Sequence, residues 1–203
     1  MHPDIPKDVV ENAQRLRSDA QLLYDAGRYA SCALIQLFCL EELGKAFLVK
    51  VGRTPTKHYH REKQAAGFCL AAGKAVIRAF NAKLGDWQKE LEDTYDDERL
   101  EHVFAQLGDR ELMVALWGPL ELSHDAKRGY FEKMRQLAAY LDLETDEEDE
   151  SSPAPDYNTF DNKFTAMMFE FLDNALACVE DGYALGFATI VANHHWPGVI
   201  PPA

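Results

Sequence analysis

Glu41-Glu42-Leu43-Gly44-Lys45 sets two carboxylates and an amine inside a stretch that is otherwise apolar. Burying an unpaired charge costs several kcal/mol, so these groups need partners. Lys45 reaches Glu41 at i+4 or Glu42 at i+3, but one amine does not satisfy two carboxylates. A further donor must come from a neighbouring element. His60 and Lys63, three residues apart and so on one helical face, follow a short turn and are placed to supply it. The expected constellation is Glu41, Glu42, Lys45, His60 and Lys63. Two kinds of chemistry fit it. In one, His60 moves a proton near neutral pH and Lys63 holds a phosphate as a point charge. In the other, the same groups form a buried network that fixes how two helices pair.

The elements that carry these residues read as helices, because the apolar periods are helical and strand-type alternation is nearly absent. A first helix is expected over 6–26, with Val9, Ala13, Leu16, Ala20 and Leu23 in one stripe, Pro6 at its start and Gly27 at its end. A second, over 28–51, is apolar around most of its circumference and should be the central one, with Leu34, Leu37, Phe38, Glu41, Lys45 and Leu48 facing inward. A third is expected over 58–84, with Ala65, Cys69, Ala72, Val76 and Phe80 inward. Further helices are expected over 86–106, 109–117 and 121–141, broken at Gly108-Asp109 and Gly118-Pro119, and a last long one over 159–192. The fold class is thus all-α: one helical-bundle domain of five to seven helices spanning 1–203. An acidic, mobile loop is expected over 142–158 and a short tail over 193–203.

A formal charge of −13 over 203 residues opposes nucleic-acid backbone globally. Any RNA contact then needs a local basic patch, and Lys50, Arg53, Lys57, Arg61 and Lys63 provide one, opposed only by Glu62. No run of about 18 uncharged apolar residues is present, so no transmembrane helix is expected. The first residues lack the pattern of a signal peptide, so a cytoplasmic location is expected. Cys32, Cys39, Cys69 and Cys178 each lie in an apolar helical run without a CxxC pair, which predicts buried reduced thiols. No metal or other cofactor is expected. His194-His195 has no carboxylate partner nearby, and Glu121-x-x-His124 does not complete two ferritin-type pairs. The stripe Phe160, Phe164, Met167, Met168, Phe171 and Leu172 is expected to be core or the face of a homodimer.

Three stretches together resemble the AbiV-type abortive-infection family of the HEPN superfamily. They are Gly27-Arg28-Tyr29-Ala30 with Leu40-Glu41-Glu42-Leu43-Gly44-Lys45-Ala46, then His60-Arg61-Glu62-Lys63, then Lys133-Met134-Arg135 running on to Tyr140-Leu141-Asp142. The likeness spans about residues 10 to 180. The chain departs from the pattern in a short first interval and in a long acidic insertion after Asp142. The resemblance implies a HEPN-like helical bundle and bacterial antiphage defence by abortive infection. The effector would be a ribonuclease or translation inhibitor acting on RNA or the translation machinery, with a phage-encoded protein as its activator. It also places Arg135, Tyr140 and Asp142 near the site. Many HEPN proteins are metal-independent endoribonucleases with an R-x4–6-H motif, in which arginine steadies the phosphate and histidine handles the proton of the 2′-hydroxyl. Arg53-x4-His58 and Arg53-x6-His60 fit that spacing, although composition alone gives about one such match by chance. Arg135-x4-Tyr140 fits by context, with tyrosine, a poor base at neutral pH, in the place of histidine. The alternative is a non-enzymatic helical module that senses a phage protein or a partner toxin.

Overall fold

The computed structural model describes residues 5–53, 60–92, 110–139 and 160–196, with side chains left out at 83–92, 110–116, 137, 139, 194 and 195. Among the described residues there are seven helices and no strand. They are α1 (Lys7–Asp25), α2 (Tyr29–Lys50), α3 (His60–Glu92), α4 (Arg110–Arg128), α5 (Tyr130–Ala139), α6 (Asn162–Val179) and α7 (Gly182–His195). The all-α bundle expected from the sequence is the fold observed. Lys57, His58, Tyr140, Asp142 and the acidic stretch 142–158 lie outside the described residues.

α3 is the axle of the bundle, and α2, α4, α6 and α7 pack along it. Buried side chains from all seven helices join one core, from Ala13 and Ala20 of α1 to Val191 of α7. α1 closes against α6 through Arg17, whose guanidinium donates to both carboxylate oxygens of Asp173 at 2.9 and 3.2 Å and lies 4.6 Å over the Phe169 ring.

Several boundaries differ from the sequence expectation. The break expected near residue 85 is absent, because α3 runs on to Glu92. Gly118-Pro119 does not end a helix either: Pro119 lies inside α4, where it removes one backbone donor without stopping the turn. The single last helix is two, bent by 113° between α6 and α7. The cause is Asp181, whose side chain accepts from the backbone N–H of Tyr183 and Ala184 at 3.1 Å each and so starts a new helix. Lys74 of α3 holds that carboxylate from the other side at 2.7 Å.

The aromatic stripe of α6 is mostly core: Phe160, Met168 and Leu172 are buried, and Met167 is its exposed member. Exposed large apolar side chains lie at Tyr183, Phe187 and Ile190 of α7, and also at Leu22 of α1 and Trp117 of α4. Phe80, expected inward, is exposed. No single helix among the described residues is long and apolar enough to cross a membrane.

Candidate functional site

α2 and α3 approach so closely that neither tolerates a side chain at the crossing. A Cβ at Gly44 would come 2.7 Å from the Gly67 nitrogen and 2.9 Å from the Lys63 carbonyl carbon, and would strike the Lys63 oxygen. A Cβ at Gly67 would come 2.7 Å from the Leu40 oxygen. Glycine inside a helix costs about 1 kcal/mol against alanine, so two of them facing each other mark a contact that needs main chain against main chain.

That contact sets Glu41, three residues before Gly44, against the first turns of α3. Glu41 is buried. Its Oε2 lies 2.7 Å from His60 Nδ1, and its Oε1 accepts from Gln64 Nε2 at 2.8 Å. Facing a carboxylate, Nδ1 carries the hydrogen, which leaves Nε2 of a neutral ring with its lone pair. The His60 side chain stays 32% exposed, so the ring spans the boundary between the sealed network and solvent.

A third helix completes the cluster. Glu132 of α5 brings a carboxylate oxygen to within 4.8 Å of ligand atoms on Glu41 and His60. Arg135, one turn on, donates to both Glu132 oxygens, from Nε at 3.0 Å and from a terminal nitrogen at 2.6 Å. Burial works against the Glu132 charge, but the hydrogen bonds and charge of Arg135, with His60 adding to them, hold its carboxyl below the ordinary carboxylate value. The turn that aims α5 is Gly129, at φ 90°. That φ is what calls for glycine, since the Arg61 guanidinium, 2.5 Å from where a Cβ would be, is the end of an exposed, flexible side chain that can swing aside.

The structure therefore brings together Glu41, His60 and Arg135 of the expected residues and adds Gln64 and Glu132. It does not bring in Lys45, which is exposed and has no ion-pair partner among the described residues. Of the expected inward stripe on α2, Leu37, Glu41 and Leu48 are buried. Leu34 and Phe38 are half-buried and Lys45 is exposed, so this edge of the stripe, with the exposed Val49, forms the outer seam. Glu42 sits 100° around from Glu41, half-buried and away from the network. Lys63 contributes its carbonyl to the Gly44 contact, and its side chain is half-buried without an ion pair among the described residues.

The basic residues fan out from this cluster. Arg53 points to Glu62 at 3.6 Å and lies 5.3 Å over the ring of Trp196, which Lys127 also faces at 5.1 Å. Lys50 is half-buried at the end of α2. Lys127 of α4 thus meets Arg53 on the Trp196 ring, a neighbour that sequence distance concealed. Glu132 was missed for the same reason, although its i,i+3 spacing to Arg135 is a visible signal.

A model of the HEPN_AbiV family, described as AbiV, matches residues 3–162, which includes α1 through α5 and every residue of the cluster. No curated protein matched the chain. No solved structure matched it.

Proposed function

The chain belongs to the AbiV family of HEPN proteins, a family of abortive-infection defence, and from that premise we propose that it is an antiphage effector that cuts RNA at His60. One observation carries this reading. The His60 imidazole is held at 2.7 Å by a buried carboxylate, is partly open to solvent, and stands beside the Glu132–Arg135 pair.

In the proposed reaction His60 Nε2 takes the proton of a 2′-hydroxyl. The freed oxygen attacks the adjacent phosphorus, and the bond to the 5′-oxygen breaks. The products are a 2′,3′-cyclic phosphate and a 5′-hydroxyl, which recovers a proton from the imidazolium. Glu41 fixes the ring and steadies its charge, as an orienting carboxylate does for a catalytic histidine. Arg135 supplies the positive charge for the phosphate oxygens. Arginine and histidine thus come from α5 and α3 instead of from one contiguous R-x4–6-H stretch. Arg53, Arg61 and Lys63 offer phosphate contacts along the flank, on a chain whose net charge otherwise opposes RNA. The translation machinery as target, a phage-encoded activator and a homodimer complete the proposal. Light scattering that finds only a species of the 22.9 kDa chain mass removes the dimer.

A second reading is a binding module that senses a phage protein or a partner toxin. The −13 charge and the engagement of Arg135 by Glu132 favour it. Wild type, His60→Ala and Arg135→Ala, all checked by circular dichroism, separate the two in a phage-challenged host and on RNA with chelator. The catalytic reading expects folded variants that neither protect nor leave cyclic-phosphate ends. A folded His60→Ala variant that still protects and still cuts RNA sinks it.

A further inference from the structure

Three helices that are far apart in sequence deliver one imidazole and two carboxylates to a single point. Glu41 of α2, His60 of α3 and Glu132 of α5 each offer a ligand atom, and these atoms all lie within 4.8 Å of one another. We infer that this point is a binding site for one divalent transition-metal ion of the Zn2+ class.

The ligand chemistry selects the ion. An imidazole beside carboxylates suits zinc and its neighbours in the first transition row, whereas Mg2+ prefers an all-oxygen shell with several waters. The positions are prepared. Gln64 holds Glu41 by one oxygen, and Arg135 holds Glu132, which is the arrangement by which outer partners orient metal ligands. Both Glu41 oxygens and Glu132 Oε2 keep a further lone pair for an ion, whereas Glu132 Oε1 accepts from Arg135 and Gln136. Ligands about 2.0–2.2 Å from zinc lie about 3.3–3.5 Å apart, so separations of up to 4.8 Å must shorten by up to about 1.5 Å while the 2.7 Å Glu41–His60 contact opens. Glu132, half-buried on the short α5 and held by side chains of its own helix, makes that move against the buried Glu41. A separate observation also points here. Gln64 is fully buried with its amide nitrogen on Glu41, and its Oε1 has no hydrogen-bond partner among the described residues. The side chain that holds Glu41 thus keeps an acceptor that a water on the ion would satisfy.

The ion's effect on function rests on the RNA-cutting reading above. Zinc at this point ties up His60 and separates it from Glu41, so occupancy switches that activity off. Binding itself does not depend on that reading, and the test keeps the two apart.

Full-length protein is stripped with chelator and dialysed against Zn2+ or Mg2+ without RNA. One zinc per chain is expected, with a raised thermal midpoint, and no stoichiometric magnesium. His60→Ala and Glu132→Gln should each weaken zinc binding at least 100-fold, and Gln64→Ala should weaken it about 10–100-fold. A His194→Ala/His195→Ala double variant should keep the ion. Retention of zinc by both His60→Ala and Glu132→Gln, its loss in the tail double variant, or no zinc on the wild type overturns the site. Zinc bound as expected with no RNA cleavage in chelator sinks the catalytic reading and leaves the site standing. Cleavage in chelator without any zinc binding does the reverse.

Discussion

Gly44→Ala should destabilise the protein even though alanine is the better helix former. The added methyl meets main-chain atoms: the Gly67 nitrogen at 2.7 Å, the Lys63 carbonyl carbon at 2.9 Å, and the Lys63 oxygen. Comfortable carbon contacts lie at about 3.5–4.0 Å, so α2 and α3 must part by about 1 Å. Overpacking of a tight core costs about 1–3 kcal/mol, and backbone obstacles that cannot rotate aside put this case near the upper end. Helix propensity returns about 1 kcal/mol, leaving a net loss of about 2 kcal/mol. For a chain of this length that is a fall of about 4–8 °C in the thermal midpoint. Gly186→Ala in α7 is the matched control. It is also a glycine within a helix, but a Cβ there has nothing within 4 Å. It should gain about 1 kcal/mol and raise the midpoint by about 2–4 °C. Thermal and urea unfolding followed by circular dichroism measure both. A Gly44→Ala midpoint at or above wild type, or two variants that shift the same way, refutes the close-crossing argument.

Glu41→Ala should lower the urea midpoint by about 1–3 kcal/mol of stability, because it strands the buried Gln64 amide and leaves His60 without its acceptor. An unchanged midpoint shows that the network is not sealed. Asp181 links pH to stability: its hydrogen bond from Lys74, helped by the N–H groups of Ala184 and Tyr183, holds its carboxyl below the ordinary value. A lowered folded value contributes stability that is complete above the ordinary carboxylate range and is lost as pH falls through the folded value. Asp181→Ala should lose about 1 kcal/mol of capping at neutral pH and show a shallower acid decline than wild type. Parallel declines refute that assignment. Burial pushes Cys32 up to about 11 and Cys39, Cys69 and Cys178 up to about 12. A thiol reagent near neutral pH should therefore modify no cysteine in the native protein and four in denaturant. Fast labelling of the native state contradicts the burial.

Helical periods made the all-α bundle legible, as did the stops at Gly27 and Gly52, both of which carry positive φ. Glu41 and His60 were legible too, because a carboxylate in an apolar run demands a donor and His60 is one of the two that arrive. The orientation of α2 was only partly legible. With apolar residues on nearly every face, the wheel does not say which seam faces water, and the expected inward stripe held at Leu37, Glu41 and Leu48 but not at Lys45. Gln64 reads as an ordinary polar residue until Gly67, one turn later, brings α2 onto it. The bend lies at Glu180-Asp181-Gly182, a short polar break with a capping aspartate and a glycine, a visible signal outweighed by the apolar stretches on either side. Glu132 depends on a chain reversal at Gly129 that no local pattern announces.

The division of the cluster between early and late helices bears on how the protein is made. Glu41, Gln64 and His60 lie on neighbouring helices that can pair as soon as α3 leaves the ribosome. Glu132 and Arg135 emerge roughly 2 to 9 s later at ordinary synthesis rates of about 5–20 residues per second. α1 waits longer still for Asp173 of α6 to fix Arg17. A nascent chain therefore carries its histidine and its buried carboxylate next to the translating ribosome for seconds before the arginine exists to join them.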